Sequence, residues 1–138
     1  MRLQLTRRGD YAVRAMFALS ALPPGGVRSA RALAEEVTIP ARFVTEVLGD
    51  RARAELVQAR PGRTGGYRLA RAAEAITLLE IIEAVEGDSR TTKCVLRDRA
   101  CRSAGGEQCA VHHVFVAAQE ALLSALRAAH LSELGKYS

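Results

Sequence analysis

The chain has 138 residues, 49% of them hydrophobic, 25% charged and only 4% aromatic, with no tryptophan. That suits a single core built from Ala, Leu, Val and Ile, favouring packed helices over a sandwich, and no stretch approaches the roughly 18–20 unbroken apolar residues of a membrane span. The net charge of +5 is uneven: residues 1–70 hold twelve arginines against six carboxylates, whereas residues 71–138 come to −1, so the first half is the surface that attracts polyanions.

From the N-terminus, the basic lead Met1 to Arg8 runs into Asp10, Tyr11 and Arg14 rather than an apolar run with a cleavage site. A cytoplasmic protein is expected, whose three cysteines form no structural disulfide. Thr6 is a helix N-cap, followed at helical spacing by Tyr11, Ala12, Ala15, Met16, Leu19 and Leu22, and Pro23-Pro24-Gly25-Gly26 ends that helix. Ser29 caps a short helix from Ala30 to Val37 with Leu33, Ala34 and Val37 inward. Thr38-Ile39 forms a tight connection, and Pro40 occupies the first turn of a third helix reaching to about Ala54. There Phe43, Val44, Val47 and Leu48 face inward while Arg42, Thr45, Glu46 and Asp50 stay free.

Leu56 to Arg60 reads as a short strand, Pro61-Gly62-Arg63-Thr64-Gly65-Gly66 as a turn, and Tyr67-Arg68-Leu69 as the returning strand. Thr77 and Glu80 make a capping box, Ile76 and Ile81 a hydrophobic staple, and Gly87 a stop. Residues 88–108 lose the pattern and read as an irregular loop, before a long helix from Cys109 to Ala129. The expected fold is mainly α with a small β-wing. A winged helix-turn-helix domain spans residues 1–87, the cysteine-bearing loop 88–108, and a dimerisation helix with its tail 109–138.

Two short helices joined by a tight turn leave the second free to enter a major groove. Arg42 and Thr45 lie one turn apart on its open side. Arginine can donate two hydrogen bonds to guanine, and threonine can meet a polar base edge or a thymine methyl. The hairpin adds Arg60, Arg63 and Arg68, with glycines that let backbone approach a phosphate or minor groove. The candidate DNA contacts are Arg28, Ser29, Pro40, Ala41, Arg42, Thr45, Arg60, Arg63, Thr64 and Gly65.

Cys94, Cys101 and Cys109 fall within sixteen residues, and His112 lies one helical turn past Cys109. Three thiolates and an imidazole can hold zinc or an iron–sulfur cluster, and Arg97, Arg99 and Arg102 would stabilise thiolates. The tight cysteine pairs usual at zinc sites are absent, and unligated thiols acting as a redox sensor are the third option. His113 and His130 have no partner at useful spacing. An enzyme pairing Cys109 with His112 or His113 would need an oxyanion-type loop, and the sequence offers none, so no catalytic residue is assigned. Along the last helix Val111, Phe115, Ala118, Leu122, Ala125 and Ala129 recur at intervals of four and three, broadened by Val114, Ala117, Ala121 and Leu126. That stripe is wider than one face of a small domain needs and suits a partner helix, the alternative being that it packs on its own domain.

The run Asp10 to Met16 (DYAVRAM), the turn Ile39-Pro40, Arg60 to Leu69 (RPGRTGGYRL), Ile76 to Gly87 (ITLLEIIEAVEG) and Leu131-Ser132-Glu133-Leu134 together resemble the Rrf2 family of winged-helix regulators. The resemblance runs nearly end to end and is to the iron–sulfur type that includes IscR and NsrR. It implies a homodimer that represses or activates promoters, with repression the expected mode, on a palindromic duplex operator; no membrane partner or small-molecule substrate is expected. It also implies Cys94, Cys101 and Cys109 as ligands of an iron–sulfur cluster. His112 would be the fourth ligand of a [2Fe–2S] site, preferred here to a [4Fe–4S] site completed by Asp10 of the partner subunit. The loop departs from the family: six residues separate Cys94 from Cys101 and seven separate Cys101 from Cys109, slightly longer than usual. The expected mechanism is a switch in which cluster assembly orders the 88–108 loop and changes the spacing of two DNA-reading heads. The alternatives are a redox- or zinc-responsive regulator without a cluster, and a cluster-binding interaction module that does not bind DNA.

Overall fold

The computed structural model describes residues 4–49, 56–87 and 110–137. Helix α1 (Arg7–Ser20) starts where the Thr6 hydroxyl accepts from the Gly9 N–H at 3.1 Å. Its apolar positions Ala12, Ala15, Met16 and Leu19 recur one turn apart and are all buried. Helix α2 (Ala30–Val37) is capped in the same way, the Ser29 hydroxyl accepting from Ala32 N–H at 3.1 Å. It ends at Thr38 in the left-handed conformation, φ 57°. Such a conformation in a β-branched residue costs of order 1–2 kcal/mol.

Helix α3 covers Ala41–Leu48, with Pro40 as its cap rather than its first residue. The expected extension to Ala54 is corrected at its start. Gly49 takes ψ −121°, outside the helical basin, once the inward set Val44, Val47 and Leu48 is complete. Residues 50–55, Asp50 among them, lie outside the described residues.

Strands β1 (Val57–Arg60) and β2 (Gly66–Leu69) pair antiparallel, Val57 opposite Leu69 and Arg60 opposite Gly66. The far edge of β2 is also used: Tyr67 and Arg28 exchange backbone hydrogen bonds at 2.8 and 2.9 Å, tying the hairpin to the approach of α2. A 3-10 turn at Ala73–Ala75, which the sequence pattern did not announce, precedes helix α4 (Leu78–Glu86). The Thr77–Glu80 capping box is fully formed, and the staple residues Ile76 and Ile81 are both buried.

Helix α5 (Ala110–Ala128) lies against α4, and Leu123 is its one buried residue. The chain then turns back. Leu78 N–H donates to Ala129 O and Leu131 N–H to Ile76 O, each at 2.8 Å, and a 3-10 segment, Leu131–Tyr137, runs against α1. Leu131 is buried in the cluster formed by Met16, Leu33, Val44, Leu48, Val57, Ile76 and Ile81. One core therefore joins the helix-turn-helix, the hairpin, α4 and the closing segment. No helix among the described residues is long and apolar enough to cross a membrane.

Candidate nucleic-acid interface

Burial of Val44, Val47 and Leu48 fixes the rotation of α3, and the opposite side carries Arg42, Thr45 and Glu46, all exposed. Pro40 gives α3 no side-chain cap, and small Ala41 follows it, exposed. The helix therefore presents a bare, positive N-terminal end. Arg42 stands in that first turn, where the helix dipole disfavours a cation. Its guanidinium carbon lies 4.9 Å from the centre of the Phe43 ring. The Thr45 hydroxyl donates back to Ala41 O at 3.3 Å and keeps its lone pairs for a donor from outside.

Behind α3, the Phe43 and Tyr11 rings meet at 5.4 Å and 59°, and the Arg14 guanidinium lies 5.4 Å from the Tyr11 ring centre. Arg14 donates to Val37 O at 3.1 Å, supplying a cation to the carbonyl end of α2. Its Nε and Nη2 both donate to Asp10 Oδ2, and this hydrogen bonding raises the Arg14 pKa above its ordinary value against a smaller opposing effect of burial. An open recess of about 580 Å³ beside this pair is lined by Gln4, Leu5, Thr6, Arg7, Asp10, Tyr11 and Arg14.

The hairpin tip places Arg60, Pro61, Arg63 and Thr64 on the surface, with Gly65 half-buried. Gly65 donates to Gly62 O at 3.1 Å. A Cβ on Gly65 would stand 2.7 Å from Pro61 O, so the turn closes only around glycine. Arg68 and Gln58 join across the strands at 3.1 Å. The remaining two candidates also serve the fold: Arg28 pairs with Glu36 at 3.5 Å, and the Ser29 oxygen caps α2 while its O–H can still donate. Sequence reasoning missed Arg8, which pairs with Glu46 on α3 at 3.5 Å and so stands beside the exposed face of that helix; Arg7 next to it is also exposed. The Arg7-Arg8 run at a helix start was the available signal.

The cysteines Cys94, Cys101 and Cys109 lie outside the described residues, as does all of 88–108. His112 is half-buried in the first turn of α5, its ring edge-on to His113 at 5.8 Å. Among the described residues no group of three or more His, Cys, Asp or Glu converges on a metal position. On α5, Val111 is 37%, Leu122 40% and Val114 66% exposed, Ala118 and Ala125 are exposed, and Phe115 and Ala129 are half-buried. At about 100° per residue these share one stripe, centred roughly 130° from Leu123. The helix thus has two apolar faces, and Leu123 is the one position its own chain buries fully.

The sequence profile of the Rrf2 family, described as an iron-dependent transcriptional regulator, matches residues 5–137. An Azotobacter vinelandii protein, ORF2, named as an HTH-type transcriptional regulator, is 34% identical over 113 residues, 82% of this chain and 67% of its own length. A regulator from Synechocystis, slr0846, is 37% identical, with the aligned stretch spanning 57% of its length. The NsrR of Shouchella clausii is 28% identical over 75% of this chain and 74% of its own. Among solved structures, B. subtilis CymR, the global cysteine regulator, superimposes with TM-score 0.83 at 22% identity over 99% of both chains. T. potens IscR does so with TM-score 0.76 at 23% identity, over 97% of this chain and 87% of its own.

Proposed function

The chain belongs to the Rrf2 family of transcriptional regulators, and from that premise we propose that it acts as a homodimer which reads a palindromic operator and represses through an iron–sulfur cluster. The observation that carries the DNA-reading part is the outward pair Arg42 and Thr45 on α3, flanked by the exposed wing arginines Arg60 and Arg63. Arg42 and Thr45 would meet base edges, while Arg28, Ser29, Pro40, Ala41, Arg60, Arg63, Thr64 and Gly65 would line phosphates and the adjacent groove. Pairing along Val111, Phe115, Ala118, Leu122, Ala125 and Ala129 would present two such heads to half-sites about 34 Å apart.

Three thiolates from Cys94, Cys101 and Cys109 with the His112 imidazole form a donor set suited to a [2Fe–2S] cluster, which supplies a redox-labile link between loop and helix when bound. Asp10 of the partner subunit is the alternative fourth ligand; here its Oδ2 is held by Arg14, which would leave Oδ1 to ligate. Arg97, Arg99 and Arg102 would keep the thiols ionised.

Two measurements test the reading. Duplex binding should weaken steeply with salt, and Arg42→Ala should lower affinity for a duplex enriched from a randomised pool by about tenfold or more. Unchanged affinity would remove the recognition assignment. Protein purified without oxygen should be coloured and iron-loaded, and Cys101→Ala should lose both properties. A colourless or zinc-loaded product would remove the cluster and leave DNA binding standing.

A further inference from the structure

We propose that Phe43 and Tyr11 are positioning residues for Arg42, forming with Arg14 an aromatic bracket that holds the base-reading side chain and the helix-turn-helix turn in one arrangement. This rests on Arg42 meeting a base, as argued above. The bracket is continuous on the page. Arg14 holds Val37 O at 3.1 Å and stands 5.4 Å from the Tyr11 ring, Tyr11 meets Phe43 at 5.4 Å, and Arg42 lies 4.9 Å from Phe43. Backbone closes the loop, since Val37 leads through Thr38 and Ile39 to Pro40 and the start of α3. The contacts thus run from the carbonyl that precedes the left-handed Thr38 to Arg42.

The physical need is specific. Arg42 stands at a helix end whose dipole repels it, and among the described residues no carboxylate forms an ion pair with it. Left alone, so long a side chain would sample many rotamers and lose them all on binding a base. An aromatic face below the guanidinium narrows that sampling without competing for the N–H donors, which lie in the guanidinium plane and stay free for guanine. Tyr11 in turn restrains the Phe43 ring, which is only half-buried.

The Tyr11 ring also packs against the core and Phe43 is half-buried, so simple filling has to be separated from positioning. The full chain is compared with Phe43→Leu, Phe43→Tyr and Arg42→Ala, and with the double variant Phe43→Leu/Arg42→Ala. The probe is the duplex enriched by the wild-type protein from a randomised pool, and the same duplex with each half-site base pair changed in turn. Phe43→Leu should weaken binding to the enriched duplex by roughly two- to fivefold and flatten preference at the base pair read by Arg42. It should cost nothing further once Arg42 is Ala, and Phe43→Tyr should behave as wild type. An equal loss from Phe43→Leu in both backgrounds, or no loss at all, overturns the bracket while leaving Arg42 as a reader. No loss from Arg42→Ala overturns the DNA-reading assignment and the bracket with it. Should Phe43→Leu fail to fold, Tyr11→Leu against Tyr11→Phe carries the same comparison, with loss expected only for the leucine.

Discussion

Replacing Gly66 with alanine tests how tightly the wing is fastened to the helix-turn-helix. An added Cβ would sit 2.8 Å from Ser29 N and closer still to the Arg28 carbonyl, so the clash is with backbone, which cannot swing aside. Relief requires separating β2 from Arg28, which breaks the two Arg28–Tyr67 hydrogen bonds, at about 1 kcal/mol each. The φ of 157° adds a conformational cost of roughly 1 kcal/mol. The total, about 3 kcal/mol, leaves a domain of ordinary stability folded but should lower its melting temperature by roughly 10 °C. Gly62 is the control: its φ is 101°, but nothing lies within 4 Å of its Cβ position, so Gly62→Ala should cost only about 1 kcal/mol. Thermal unfolding followed by far-ultraviolet circular dichroism compares the two. Equal melting temperatures would refute the close-approach argument, because backbone strain alone would then explain both.

Three other predictions follow from particular contacts. Thr38→Gly should raise stability by about 1 kcal/mol, since glycine carries no penalty at φ 57°; an unchanged urea midpoint would contradict the strain assigned there. Leu123→Ala should destabilise the fold by about 2–3 kcal/mol, whereas Leu122→Asp, on the uncovered stripe, should leave the protomer folded but sediment as a monomer; wild-type sedimentation of Leu122→Asp would exclude the α5 interface. Partial burial opposes ionisation of Glu80, but the Thr77 backbone N–H and then Arg71 outweigh it and hold its pKa below the ordinary value. Its carboxylate therefore stabilises the fold above the unfolded pKa of about 4.3 and stops doing so as pH falls through the lower folded value. Wild-type stability should thus decline below about pH 5 more steeply than that of Glu80→Gln, and parallel urea-midpoint profiles would count against this.

What the sequence made legible was local. The caps at Thr6, Ser29 and Thr77 were readable because a side chain and a backbone N–H three residues on are enough to form them. Val44, Val47 and Leu48 on α3 were readable because helical period determines them, whereas Phe43, expected with them, is half-buried against Tyr11. The end of α3 was not, because Ala52 and Ala54 continue an apolar pattern past Gly49, and only backbone geometry shows the break. Leu123 went unmarked because α5 carries two apolar faces, and period cannot say which one meets α4. The tertiary pairs Arg8–Glu46, Tyr11–Phe43 and Thr6–Glu86 depend on how helices cross, and a one-dimensional pattern does not contain that. The cysteine segment was legible as chemistry, while Cys94, Cys101 and Cys109 lie outside the described residues.

The return of the chain at Leu131 has a consequence for biosynthesis. The helix-turn-helix leaves the ribosome before this segment, and Ile76 lacks its hydrogen-bonded cover until residues more than fifty positions later emerge. A nascent chain carrying α1 to α4 alone exposes that seam to solvent and to quality control. The fold of the first half is thus completed only after translation has passed Leu131, when that turn closes over it.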